Sequence, residues 1–143
     1  MRAVIIGCGR VGSTVARRLN TAGWDVAVVD EDEEALGNLG PNWGGEYIVG
    51  HGLDTHVLEE AGITVADAVV VATNGDNSNI VIGQIAQKHF GIGCVVVRIL
   101  DPARAEFFEQ QGLHTVCPTS TAIDVLTDAV RTCEAPHATE ATV

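Results

Sequence analysis

The chain has 143 residues, 46% of them hydrophobic and only 4% aromatic. This fits one domain with an aliphatic core and excludes a mainly disordered chain. Eight Lys and Arg stand against 19 Asp and Glu, a net charge of −11, which excludes a basic nucleic-acid binder and a polybasic membrane-surface module.

Short β-branched runs alternate with helical stretches. Residues 3–6 (AVII) read as a first strand, followed by Gly7-Cys-Gly-Arg-Val-Gly12 and a helix with Val11, Val15 and Leu19 on one stripe, ending near Gly23. Residues 25–30 (DVAVVD) form the second strand. Residues 31–39 form a short helix with acids in its first turn, where the helix dipole favours them. Residues 47–49 are the third strand. Asp54 or Thr55 caps a helix that Gly62 stops.

Residues 68–72 (AVVVA) are the fourth strand. A polar loop over 73–79 leads into a helix with Val81, Ile82, Ile85, Ala86 and Phe90 facing inward. Residues 94–100 are the fifth strand. Asp101-Pro102 starts the next helix, which Gly112 closes, and residues 114–117 are a short sixth strand. Pro118 stops that strand. Thr119 to Thr121 caps a last helix with Ile123, Leu126 and Val130 on one stripe. The expected organisation is a nucleotide-binding domain over 1–118, a helix over 119–134 and a flexible tail over 135–143. Strands alternating with helices, each strand apolar on both faces, imply a six-stranded, doubly wound, parallel Rossmann-like α/β sheet in the order 3-2-1-4-5-6.

Cys8, Cys94, Cys117 and Cys133 show no CxxC pairing, and the simplest reading is four small hydrophobes. The opening apolar run is too short for a signal-peptide core, and no stretch has the roughly 18 apolar residues that cross a bilayer. The expected setting is intracellular and reducing.

Gly7-x-Gly9-x-x-Gly12 lies between a strand and a helix, the context the dinucleotide fingerprint requires. Gly7 permits the turn, Gly9 lets backbone approach a pyrophosphate, and Gly12 lets the helix pack on the strand. The helix N-terminus adds free N–H groups and the positive end of a dipole. Arg10 is either a fork donor to phosphates or a solvated neighbour of Arg17 and Arg18.

Asp30 follows Gly12 by 18 residues, near the spacing of a ribose-binding acid; its other reading is a helix cap. Glu31 and Asp32 follow without a nearby Arg, so a 2′-phosphate is disfavoured and NAD(H) or an adenine nucleotide (ATP, ADP or AMP) is preferred. Thr73 and Asn74 leave the fourth strand at the switch point, where they face the crevice, belong to a loop that caps the next helix through Asp76 or Asn77, or both. His51 is at the adenine rim or merely on the surface. Arg98, in an apolar strand, needs a partner or a ligand anion, and its strand end faces the crevice, which favours a ligand or interface role. His56, His89, His114 and His137 show no metal spacing. HExxH, a Walker lysine motif and GxSxG are absent, and few residues remain here for a substrate domain. The competing reading is an enzyme fragment, either a small NAD-dependent oxidoreductase or an S-adenosylmethionine-binding protein.

Seven blocks in order, VIIGCGRVG (4–12), VVD (28–30), VLEEAGI (57–63), ADAVVVATN (66–74), DNSNI (76–80), VVVRILDP (95–102) and GLHTVCPT (112–119), resemble the TrkA N-terminal family, the RCK or KTN domain. The resemblance spans roughly residues 1–133. It implies a non-enzymatic regulatory subunit of a potassium channel or transporter, lying in the cytoplasm against a membrane partner. Such domains bind NAD(H) or adenine nucleotides, assemble as homodimers and rings, and gate ion flux. The resemblance assigns phosphate contact to Gly7, Gly9, Arg10, Val11 and Gly12 and ribose contact to Asp30. It puts Thr73 and Asn74 on the phosphate side and Arg98 near ligand or dimer face, and makes the helix after Pro118 a crossover helix. Family members commonly carry Gly-Asp after the third strand; Gly50-His51 stands here, so that acid at the base end is missing. Many members continue into a second subdomain, which implies either a truncated chain or a short subunit working with a longer RCK paralogue.

Overall fold

The computed structural model describes the backbone of residues 1–141 and the side chains of residues 1–133. Six strands form one parallel sheet: β1 (Arg2–Ile6), β2 (Asp25–Asp30), β3 (Glu46–Val49), β4 (Ala68–Val71), β5 (Cys94–Arg98) and β6 (His114–Val116). Their order is β3-β2-β1-β4-β5-β6. In the register, Ile6 pairs with Val29 on one side and with Val71 on the other. The three central strands therefore end level, and the chain leaves them along one edge.

Alternation along β1 explains why both sheet faces are covered. Val4 and Ile6 pack with Val29, Leu58, Ile82 and Val97, beneath α2 (Thr55–Glu60), α3 (Asp76–Gln84) and α4 (Pro102–Gln110). Ala3 and Ile5 point the other way, onto Ala16 of α1 (Arg10–Thr21) and Leu39 at the end of a 3₁₀ turn over Glu33–Leu39. Buried aliphatics of this kind each contribute about 1.5–3 kcal/mol, and this doubly covered core positions the carboxyl edge.

Three local starts differ from the expected ones. The acidic segment after β2 is a 3₁₀ turn beginning at Glu33, because Asp32 caps it by accepting from the Glu34 N–H at 2.9 Å. The loop after β4 is shorter than 73–79, because Gly75 adopts an extended N-cap conformation and α3 starts at Asp76. The last helix, α5, runs over Pro118–Ala141 instead of starting from a cap at Thr119–Thr121 and covering 119–134. Proline occupies its first position, where the missing N–H costs nothing. The helix backbone continues through 141, over most of the segment expected as a flexible tail, and residues 142 and 143 lie outside the described residues. No helix among the described residues is long and apolar enough to cross a membrane.

Candidate functional site

The carboxyl ends of β1, β2, β3 and β4 enclose a cleft of about 440 Å³ at the switch point of the sheet. Its floor is the glycine turn. Gly7 has a φ of +104°, and a Cβ there would stand 2.6 Å from the Ala72 carbonyl oxygen. At Gly12 a Cβ would collide with the Gly7 carbonyl oxygen. Gly9 is different: its φ is −79°, and an added Cβ would meet nothing within 4 Å. Gly7 and Gly12 thus serve the fold, whereas the absent side chain of Gly9 leaves open space over the turn.

Gly9 is also the N-cap of α1, without a side-chain cap bond. The first bond of that helix runs from the Ser13 N–H to the Gly9 carbonyl at 3.0 Å. The N–H groups of Arg10, Val11 and Gly12 precede it and have no carbonyl within the helix. Together with the dipole they form a site suited to an anion.

Asp30 ties this turn to β2. One of its carboxylate oxygens accepts from the Cys8 N–H at 2.7 Å, the other from the Asp32 N–H at 2.8 Å. Each oxygen has capacity for a further hydrogen bond, and Asp30 lines the cleft. The Cys8 thiol is buried and donates to the Ala35 carbonyl at 3.3 Å. Burial, with the charge of Asp30 adding to it, pushes that thiol up to about 11, so it is a protonated wall and not a nucleophile. Burial also pushes Tyr47 upward, Asp30 again contributing, and the Tyr47 hydroxyl donates to the Asp32 carbonyl at 2.5 Å. Across the mouth, His51 Nε2 pairs with Glu31 at 2.8 Å, while His51 Nδ1 accepts from the Leu53 N–H at 3.1 Å.

On the opposite wall, Thr73 turns its hydroxyl inward to the Asn79 side-chain oxygen. Arg98 lies behind that wall. Its Nη2 donates to the Thr73 carbonyl at 2.5 Å and reaches Asn74 Oδ1 at 3.5 Å, and its Nε is buried without a partner.

Gly7, Gly9, Asp30, Glu31, His51, Thr73 and Asn74 all line the cleft. Arg10, Val11, Gly12 and Arg98 do not form its walls. Arg10 and Val11 have exposed side chains, so only their backbone N–H groups belong to the turn. Sequence reasoning missed Asn38, whose amide donates to the Cys8 carbonyl at 2.8 Å from 30 residues away; nothing local signals such a contact. It also missed Ser78, Gly50 and Gly52 as lining residues. Gly52 was readable as one of two glycines flanking His51, and a Cβ there would stand 2.7 Å from Ile6. Among the described residues no group of three His, Cys, Asp or Glu side chains is placed to hold a metal.

A parallel sheet in this order, with a glycine turn at its switch point and an acid ending β2, defines a Rossmann-type domain of the dinucleotide-binding kind. Residues 3–119 match the TrkA-N domain, and the chain belongs to that family. It is 45% identical over 116 residues to the Trk system potassium uptake protein TrkA of Streptomyces coelicolor, covering 81% of this chain and 52% of the relative. It is 35% identical to the TrkA homolog of Methanothermobacter thermautotrophicus, covering 88% and 58%. The chain thus spans about half the length of these curated relatives. Among solved structures, the fold resembles the Shewanella denitrificans Kef CTD in AMP-bound form, with a TM-score of 0.78, 22% identity and coverage of 93% and 82%. It also resembles GsuK bound to ADP (TM-score 0.63, 21% identity, coverage 81% and 31%) and the GsuK channel bound to NAD (TM-score 0.64, 20% identity, coverage 82% and 21%).

Proposed function

We propose that this chain is the nucleotide-sensing domain of a potassium-transport regulator. It binds NAD(H) or an adenine nucleotide (ATP, ADP or AMP) without altering it chemically, and it passes that occupancy to a membrane potassium channel or transporter. The observation that carries the reading is Gly9: the space where its side chain would be is empty, and the free N–H groups of α1 adjoin it. The names of its relatives (potassium uptake proteins) and the AMP, ADP and NAD bound to its structural neighbours support the same reading.

In this reading the N–H groups of Arg10, Val11 and Gly12 hold phosphate oxygens. Arg10, unpaired among the described residues and exposed, folds over them from solvent. Asp30 accepts from the ribose hydroxyls on its free lone pairs, and Glu31 and Asp32 exclude a 2′-phosphate by charge. His51 borders the base. Thr73 and Asn74 form the far wall, with Arg98 supporting them from behind. A bound nucleotide shifts the assembly only by its differential affinity for two arrangements of it.

The assembly is a homodimer or a larger ring, built through α5. Its Ile123, Leu126 and Val130 are 54%, 66% and 67% exposed, a stripe that marks a partner surface. The domain works at the inner face of the membrane through a membrane partner, with a longer RCK paralogue as a further candidate partner.

Calorimetric titration with NAD, NADH, ATP, ADP, AMP and S-adenosylmethionine tests this. Saturable heat with one of the first five supports it. Binding of S-adenosylmethionine alone, or no heat with any, refutes it.

A further inference from the structure

The four residues 98–101, which leave β5, are bonded on both sides at once. On the cleft side, the Arg98 carbonyl accepts from Asn79 Nδ2 at 2.9 Å. The Leu100 and Asp101 N–H groups donate to the two carboxylate oxygens of Asp76, at 2.7 and 3.1 Å. On the other side, the Ile99 N–H donates to the Val116 carbonyl at 3.0 Å, and the Leu100 carbonyl accepts from the Cys117 thiol at 3.6 Å. Residues 98–101 are therefore a strap between the first turn of α3 and the root of α5.

Both ends of that strap matter. Asp76 and Asn79 share the first turn of α3 with Ser78, which lines the cleft. Asn79 is 1% exposed, and its side chain also takes the Thr73 N–H and hydroxyl and donates to the Thr73 carbonyl at 3.0 Å. At the far end, Cys117 to Ser120 are half-buried, whereas every described side chain from Thr121 to Cys133 is exposed. The root is the part of α5 moored to the domain, and the helix that grows from it has 24 residues. At 1.5 Å per residue such a helix is about 36 Å long, and a small rotation at its root becomes a large displacement at its tip.

We infer that Asp76 is a positioning residue that couples the cleft to the direction of α5. It does not line the cleft itself. It acts by holding the Leu100 and Asp101 N–H groups, so that a shift of the wall residues Thr73, Asn74 and Ser78 is carried to the α5 root. Arg104 braces the same junction, donating from Nη2 to Asn77 Oδ1 at 2.5 Å and approaching Asp76 at 4.0 Å. This inference rests on the proposed nucleotide cleft and adds the residue through which the cleft is read out.

The test compares the parent with Asp76→Ala, using ADP and NAD as probes. Asp76→Asn, which keeps the shape and one acceptor oxygen, serves if the alanine variant fails to fold. Dimer dissociation constants are measured by sedimentation, and probe affinities by calorimetry. In the parent, a bound probe should change the dimer constant at least threefold. In the variant, probe affinity should stay within about threefold of the parent, while the effect on the dimer constant should fall below about 1.5-fold. A variant that keeps the parental shift overturns the coupling role. So does a variant that loses probe binding altogether, since Asp76 would then act within the cleft. A parent that binds a probe without any shift also overturns the coupling while leaving the cleft assignment intact. A parent that binds neither probe removes the cleft assignment, and this inference with it.

Discussion

Replacing Gly9 by valine should separate binding from folding inside one turn. The new Cβ finds nothing within 4 Å, and the φ of −79° is ordinary for any residue. Ala-like gains from a stiffer unfolded chain and small N-cap losses offset each other, so stability should move by no more than about 1 kcal/mol. Binding should suffer far more, because the side chain fills the space through which phosphates reach the N–H groups of Arg10, Val11 and Gly12. Hydrogen bonds to a charged group contribute about 1.5–3 kcal/mol each. Losing two of them weakens binding by about 3–6 kcal/mol, more than a hundredfold. Gly12→Ala should do the opposite: its Cβ collides with the Gly7 carbonyl oxygen, and the domain should fail to fold. Calorimetry with ADP and NAD, beside thermal melts, reads both effects. Gly9→Val binding these nucleotides like the parent, or melting more than about 5 °C lower, would refute the reasoning.

Three further outcomes are expected. Asp30→Asn should weaken ADP by about 1–3 kcal/mol while leaving inorganic pyrophosphate nearly unaffected; equal losses for both would contradict the ribose role. Cys8 has a thiol pushed up to about 11, so folding favours its protonated form. The resulting stability is complete below the ordinary thiol value and is lost as pH rises toward 11. Urea melts at pH 8 and 10.5 should show Cys8→Ala, which keeps only the slope from Tyr47, losing less stability than the parent. Leu126→Glu, at a 66% exposed position, should leave the melting temperature of the domain unchanged at low concentration and abolish self-association in sedimentation; an unchanged dimer would remove α5 from the interface.

Much of the architecture is legible in sequence because its signals are local. The runs AVII, VAVV and AVVVA are apolar at successive positions, which only a sheet covered on both faces can bury, and alternate residues of β1 do enter opposite cores. The glycine turn and Asp30 are likewise readable, since their spacing follows from a strand, a helix and a second strand of fixed length. What was not legible depends on contacts across the fold. Asn38 bonds the Cys8 carbonyl from another segment, and Asp76 reaches residues 100 and 101 across the sheet edge. Arg98 shows the limit of reading a charge in an apolar strand. The sequence demands a partner for it, but only the packing shows that carbonyl and amide oxygens of the cleft wall supply that partner. The start of α3 was misplaced for a subtler reason: Asp76, Asn77 and Ser78 are turn-forming residues, and here they form the first turn of the helix because Gly75 supplies the extended cap.

The most direct test is mass spectrometry of small molecules released when the freshly purified protein is denatured. The account predicts an unmodified adenine nucleotide or NAD in the parent and its disappearance from Gly9→Val. Recovery of S-adenosylmethionine, or conversion of an added nucleotide to product by the native protein, would contradict it.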